Sequence, residues 1–499
     1  MSLSLTGFLP GRSLTARLDL AAAAFAIALG SAVFAAVLWV PAVLADPDTL
    51  WHITVGQWIL ANLAVPSTDI YSFTAQGRPW VAHEWLSEVV LTLAYRAGGW
   101  NGVIMLTAAA AGSATAVIAL YVRRCLRLDI ALMAVMLAVA CGGGSLLARP
   151  HMIALPFAAL WTAGVVGARA RNAAPSFALL PVMVLWANLH GGFLVGLVVA
   201  AALALEAVMD PTCDRRDQLR KWVPFMAGAV VAAVLTPQGF SGLIYPLRLM
   251  SMKTLYEIQE WMPSDLGHLT GLSGFILVAI YLGLSGQWGL PKYRVAMMTG
   301  LLFTAMQHSR NGLVFAVVVP MLMADILGRI KTAPLPAKFL RIERMAGMAV
   351  VLAAFVSLSV RAAVTLDRGN EGYYATAALA HVPAELRARP VLNEYGFGGM
   401  LIFSGVKAFI DGRADLYGDE GIGEYLAITQ GQGNALDKAL CKYDIAWTIF
   451  PPNTVVPALM DRTPGWHRLY SDKVAVVHVR DADDKPANCK DHVWQVPAG

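Results

Sequence analysis

Charge is what this sequence has least of. Only 14% of its 499 residues are Asp, Glu, Lys or Arg, whereas 57% are hydrophobic and the mean hydropathy is +0.57. A chain this apolar is not a soluble domain. Cysteine is scarce too. Cys125, Cys141, Cys213, Cys441 and Cys489 form neither a CxxC pair nor a Cys/His ligand spacing, which argues against a structural zinc site. No internal repeat is visible. The glycine-rich turn Asn393–Gly399 (NEYGFGG) lacks the spacing and the downstream acid of a dinucleotide fingerprint. The net charge of +5 comes from Lys and Arg flanking apolar runs rather than from one basic face, so nucleic acid is not an expected partner.

What the sequence does have is apolar runs of membrane-crossing length. About 20 such residues span ~30 Å of hydrocarbon, and shorter helices are tolerated inside a bundle. By that measure helices are expected at 18–45, 101–122, 128–148, 152–168, 175–189, 191–209, 222–236, 271–286, 294–308, 312–328 and 345–366, roughly eleven in all. The first run ends in a VLA that imitates a cleavage site, but it exceeds the roughly 7–15 residues of a secretory h-region and is read as an uncleaved helix. With the N-terminus inside, the inner connections 123–127, 169–171, 210–221, 292–294 and 329–344 are all basic, as cytoplasmic loops should be. The loop 45–100 and everything after the last helix then fall outside. The chain divides into a membrane domain, 1–366, and an exported domain, 367–499.

The stretch Ala45–Glu88 gathers Asp46, Asp48, His52, Asp69, His83, Glu84 and Glu88 among Trp51, Trp58, Trp80 and Trp85. Ionisable groups at a membrane boundary are held there at a cost, so function is the default hypothesis. The same topology places Arg149-Pro150-His151, Asn188 to Gly192, Thr236 to Gln238, Glu257 to Trp261 and His308 to Asn311 on that outer face, and no comparable cluster on the inner one. Each residue has a plainer reading. Asp48 can cap the helix 49–60, Glu84 suits a helix N-terminus, and Arg149, Arg310, His151, His190 and His308 can snorkel toward the interface.

Taken together, a carboxylate here can deprotonate an acceptor hydroxyl or hold a divalent cation, while Arg and His neutralise a lipid-linked phosphate and Trp rings stack on sugars. On that chemistry Asp46, Asp48, His83 and Glu84 are the candidate catalytic residues. Candidates for binding substrate are His52, Arg149, His151, Asn188, His190, Glu260, Trp261, His308, Arg310 and Asn311.

After 367 the composition turns polar. Strands are expected at 390–394, 408–411, 445–450 and 474–479, and helices at 373–381, 420–429, 436–443 and 455–460, which make a small α/β domain with a partly parallel sheet. Asn393–Gly399 and Asp411–Asp415 (DGRAD) read first as ordinary turns of that domain and second as loops facing a phosphate or sugar. An oxidising compartment would permit a Cys441–Cys489 disulfide.

Asp46-Pro47-Asp48 at the end of the first span, juxtamembrane helices near 50–62 and 80–96, and an exported α/β tail resemble the plan of the GT-C membrane glycosyltransferases. Trp80–Leu86 (WVAHEWL) occupies the place of their His-Pro-Pro-type motif and departs from it. The resemblance implies an inverting transfer of a sugar from a polyprenyl-phosphate donor to a glycan, lipid or protein acceptor at the periplasmic face of a bacterial inner membrane. It gives Asp46 the role of base, with Asp48 assisting, and leaves open a divalent cation, magnesium or manganese, on Asp46 and Asp48. Three other readings remain: a polyprenyl-diphosphate-dependent polymerase or ligase, a transporter or flippase for a lipid-linked glycan, and a non-catalytic partner in envelope assembly.

Overall fold

The computed structural model describes residues 12–254, 261–268, 270–284, 291–328, 337–366 and 368–481; Glu260 and Cys489 lie outside this set. Helices occupy all eleven expected places. They are α1 (Arg12–Val37), α3 (Trp85–Cys125), α4 (Leu128–Gly142), α5 (Pro150–Ala170), α6 (Leu180–Leu189), α7 (Phe193–Met209), α8 (Arg215–Val234), α10 (Gly271–Leu284), α11 (Lys292–Gln307), α12 (Gly312–Leu327) and α13 (Ala337–Ala363). Among the described residues six helices, in α1, α3, α4, α5, α12 and α13, are long and apolar enough to cross a membrane. Of the others, α6, α7, α10 and α11 are shorter, in keeping with helices shielded inside a bundle, and the 20-residue α8 begins with the charged stretch Arg215–Lys221. Two additional helices lie at the end of the bundle that carries the first loop: α2 (Thr49–Asn62) and α9 (Phe240–Met250).

Although continuous by hydrogen bonding, α3 breaks at Gly98 and Gly99, the latter at φ 56°. Only glycine enters that region without strain. The break separates an arm beginning at Trp85 from the span beyond it, where two separate helices were expected. The arm packs on α2 so closely that a Cβ at Gly56 would lie 2.1 Å from the Glu88 carbonyl oxygen, and Thr92 Oγ1 donates to the Ile53 carbonyl at 2.8 Å. Trp85 Nε1 to Asn188 Oδ1 (2.8 Å), Ser87 to the Leu189 carbonyl (2.7 Å) and Gln238 to the Ala82 carbonyl (3.0 Å) tie this arm to the ends of α6 and α8.

The C-terminal part forms a four-stranded sheet in the order β1 (Val391–Asn393), β2 (Trp447–Phe450), β4 (Val476–Arg480), β3 (Trp466–Ser471). β1 and β2 are parallel and the other pairs antiparallel. Helices α14 (Thr376–His381), α15 (Ala384–Arg387), α16 (Gly398–Phe403), α17 (Ala414–Thr429), α18 (Ala435–Lys442) and α19 (Val455–Met460) surround it. β3 was not expected. The segment 408–411, expected as a strand, joins the first loop instead of the sheet. The Ala408 amide donates to the Tyr71 carbonyl and the Phe73 amide to the Ala408 carbonyl, both at 3.2 Å, and Thr74 Oγ1 donates to the Phe409 carbonyl at 2.6 Å. Its backbone groups are satisfied there, so a sheet partner is unnecessary. One apolar cluster accordingly contains Trp51, Val55, Ile59 and Trp80 from the first loop together with Phe409, Leu416, Tyr417, Tyr425 and Phe450. Cys441 is disulfide-bonded, and Cys125, Cys141 and Cys213 are free.

The opposite end of the bundle corrects one expectation. It holds a buried charge network that the sequence does not announce. Arg294 grips Glu206 through two bonds of 3.0 and 3.1 Å and reaches Asp325 at 2.9 Å, while Arg169 meets Glu206 at 3.1 Å and Asp210 at 2.5 Å. Glu206 hides in the apolar run of α7, where sequence spacing shows no partner.

Candidate active site at the first-loop end of the bundle

The turn Asp46-Pro47-Asp48 leads into α2, and Pro47 keeps Asp46 out of helical geometry. Asp48 stands at the N-cap of α2 but makes no capping hydrogen bond. Its carboxylate turns to Arg149 Nη2, while Asp46 pairs with Arg149 Nε. Asp46 Oδ1 also accepts the Asp48 amide at 2.7 Å. The capping alternative for Asp48 therefore gives way to an ion pair. Arg149, at the N-cap of α5 ahead of Pro150, spans both acids with its planar fork, and such charge-assisted pairing makes their burial tolerable. The Asp46 side chain is fully buried, whereas 12% of the Asp48 side chain stays open.

Glu84 likewise sits at a helix N-cap without capping. It is surrounded by imidazoles: Oε1 lies 3.5 Å from His83 Nε2 and 3.5 Å from His190 Nε2, and Oε2 lies 4.0 Å from His52 Nε2. Burial opposes its charge, yet the His83, His190 and His52 rings hold Glu84 well below the usual carboxylate range. Burial also opposes charge on His83, but Glu84 and then Asp415 carry its pKa above the ordinary value. His190 goes the other way, to about 3, chiefly through burial. Its Nδ1 accepts the Gly192 amide at 3.0 Å, which assigns the proton to Nε2, facing Glu84. His52, lying on the Trp51 ring at 3.6 Å, is lowered to about 3 by burial in the same way. The cluster thus sets Glu84 against one histidine whose pKa is raised and two whose pKa values are lowered.

The third wall comes from the C-terminal part, and sequence reasoning placed none of its residues in the site. A Cβ at Gly412 would lie 1.9 Å from Asp48 Oδ1, and one at Gly399 would lie 2.2 Å from the Pro47 carbonyl oxygen. Both turns noted in the sequence therefore press on the acidic motif. Arg413 locks the second of them to the first loop: it binds Asp411 through two bonds of 2.7 Å and Asp69 at 2.6 Å, under the ring of Trp80 at 4.8 Å. Glu394 and Asp415 face the same space, and burial raises both, Glu394 to about 7. The glycine-rich composition of the first turn and the Asp-Gly-Arg of the second were the available signals; what they pack against was not.

Together these walls enclose a cavity of about 1280 Å³. Asp46, Asp48, His52, His83, Glu84, Arg149, His151, His190, Trp261, Arg310 and Asn311 all line it, and Leu155, Leu194, Val199 and Val317 extend an apolar side between the helices. The Arg310 guanidinium stacks over Trp261 at 4.4 Å. His151 Nε2 donates to the Ser145 carbonyl at 2.9 Å, with its ring 6.1 Å from that of His190. Two expected binding residues stand elsewhere. Asn188 is a helix tie, accepting from Trp85 and donating to the Val184 and Leu235 carbonyls at 2.8 and 2.9 Å. His308 stands behind Trp261, its Nδ1 donating to the Trp261 carbonyl at 2.7 Å. As arranged, Asp46 and Asp48 do not fit a divalent cation. Both turn to Arg149, and among the described residues no three His, Cys, Asp or Glu side chains converge as metal ligands.

No family model matches the sequence, and no curated protein matches it. Among the solved structures it resembles are the following two. The apo oligosaccharyltransferase of Archaeoglobus fulgidus, 11% identical, aligns over 96% of this chain and 76% of its own with a TM-score of 0.49. ArnT from Cupriavidus metallidurans bound to undecaprenyl phosphate, 13% identical, aligns over 94% of this chain and 98% of its own with a TM-score of 0.51. The apolar helices define the class: a membrane protein. Within that class the chain shares the overall fold of ArnT.

Proposed function

We propose that the protein is an inverting glycosyltransferase that moves a sugar from a polyprenyl-phosphate donor to an acceptor hydroxyl in this cavity. The observation that carries the reading is the convergence of Asp46, Asp48, Arg149, His83 and Arg310 on one space with an apolar side. A carboxylate of the Asp46–Asp48 pair takes the acceptor proton as the acceptor oxygen attacks the anomeric carbon. The glycosidic bond to phosphate breaks, and the lipid keeps the phosphate. Arg310, Arg149 and His83, whose pKa is raised, neutralise the charge that grows on it. Greater exposure supports Asp48 as the oxygen the acceptor meets, with Asp46 orienting it through the Asp48 amide. The undecaprenyl phosphate named with ArnT supports a lipid-phosphate donor for this fold.

The basic connections at the far end of the bundle support a cytoplasmic side there, and the disulfide-bonded Cys441 supports an exported C-terminal domain, consistent with a bacterial inner membrane. The buried network of Arg294, Glu206 and Asp325 lies within a turn or so of the helix ends and is internally paired, which does not favour the transporter alternative.

The test is turnover of a panel of polyprenyl-phosphate sugars by the full-length protein in lipid, with and without EDTA. Asp46→Asn and Asp48→Asn should each lower transfer at least about 100-fold in folded protein. Wild-type rates in both variants would refute the role of the pair.

A further inference from the structure

Most cavity carboxylates are committed to nitrogen partners: Asp46 and Asp48 to Arg149, Glu84 to three histidines, and Glu88 to His52 at 3.5 Å. Glu394 is arranged differently. Its Oε2 accepts the Gly396 and Phe397 amides at 2.6 and 3.2 Å, while Oε1 has no hydrogen-bond partner among the described residues. One oxygen is fixed to a tight turn and the residue faces the cavity. Aromatic rings stand around it. Tyr395 and Tyr373 share this wall, and Trp51 reaches it where Gly399 packs on α2, 3.6 Å from the position of a Cβ there. The titratable groups facing it from neighbouring elements are Tyr373 and Tyr425, with Asp46, Asp48 and Arg149 beyond Tyr373.

A rigid acceptor oxygen beside aromatic faces, with no cation against it, suits a polyol ring. A hydroxyl donates to the carboxylate while the C–H face of the ring lies on an aromatic side chain. We infer that Glu394 is a specificity-determining residue that accepts a hydrogen bond from a ring hydroxyl of the donor sugar or of a glycan acceptor. That the ring belongs to a donor or acceptor rests on the transferase reading; the geometry of Oε1 does not. Burial, opposed by the two amides, brings the Glu394 carboxyl to about 7, so the accepting form builds up as pH rises through neutrality.

The experiment uses the full-length protein in nanodiscs and reads tryptophan fluorescence on titration with methyl glycosides of glucose, N-acetylglucosamine and arabinose from pH 5.5 to 8.5. Glu394→Gln keeps an amide oxygen for the two backbone N–H groups and removes the anion; Glu394→Asp keeps the anion and shortens its reach. For wild type, at least one glycoside should bind about tenfold more tightly at pH 8.5 than at pH 5.5. Glu394→Gln should weaken binding at pH 8.5 about tenfold and flatten the pH profile, with the unfolding temperature at pH 5.5 unchanged.

Unaltered affinity and pH profile in Glu394→Gln would overturn the inference, as would a wild-type protein that answers to no glycoside. Transfer assays run beside it separate the two readings. Transfer with a wild-type KM in Glu394→Gln ends the role of Glu394 alone. Glycoside binding lost in Glu394→Gln, with no donor turned over by wild type, ends the transferase reading alone.

Discussion

Glu84 sets the charge of the histidine cluster, because burial by itself would leave all three rings neutral. Removing its charge as Glu84→Gln should drop the His83 pKa below the ordinary imidazole value, a change that a histidine-selective NMR titration reads directly. The sign for stability follows from the two shifts. His83, raised in the fold, contributes fully below its unfolded value of 6.5 and loses that contribution as pH rises through its folded value. Glu84, depressed, contributes above 4.5 and loses that contribution only as strong acid protonates it. The wild type should therefore lose more thermal stability between pH 5.5 and pH 9 than Glu84→Gln does. These residues were legible one by one, since His, Glu and Asp stand out in an apolar chain. Their partners were not. Asp48 and Glu84 both occupy cap positions that sequence rules explain well enough, and only the fold shows their carboxylates turned to Arg149 and to the histidines.

Among the elements, the helices followed their apolar runs closely, including the break at Gly98 and Gly99 that separates arm from span. Local pattern suffices where hydrophobic length dictates structure. It failed for 408–411, which has the composition of a strand and uses its hydrogen bonds on the first loop, and for β3, whose alternation is masked by an exposed face of His467, Arg468 and Leu469. Contacts such as Arg413 to Asp69 join residues 344 positions apart, a distance over which no periodicity speaks. The turn holding Gly412 gives the sharpest test of this docking. Gly412→Ala places a methyl group on Asp48, so the turn must move off the acidic motif. Transfer should fall at least about 100-fold, as expected when reacting groups are displaced by an ångström or so, while secondary structure by circular dichroism stays that of wild type.

On the scale of the molecule, the two ends of the bundle divide their tasks. One end concentrates charge around a cavity; the other consumes charge internally, and its Arg294 is only 2% exposed. Arg294→Leu leaves Glu206 and Asp325 short of a buried partner and should destabilise the fold by about 3–5 kcal/mol. Equilibrium unfolding in mixed micelles measures that loss. Transfer per folded molecule should be unchanged, and adding Glu206→Leu should not restore stability fully, because Asp325 still lacks Arg294 and Arg169 then loses one of its two carboxylate partners.

The apolar cluster shared by Trp51, Trp80, Tyr417 and Phe450 has a consequence for the order of events during synthesis. The acids and the arm leave the ribosome early, and the turns that cover them are made much later, after α13. Until β1 and α17 have folded back onto the first loop, the nascent chain holds an acidic motif without a roof. Assembly of the site therefore waits on segments made after α13, and a product truncated there should leave Trp51 and Trp80 without the apolar partners that cover them.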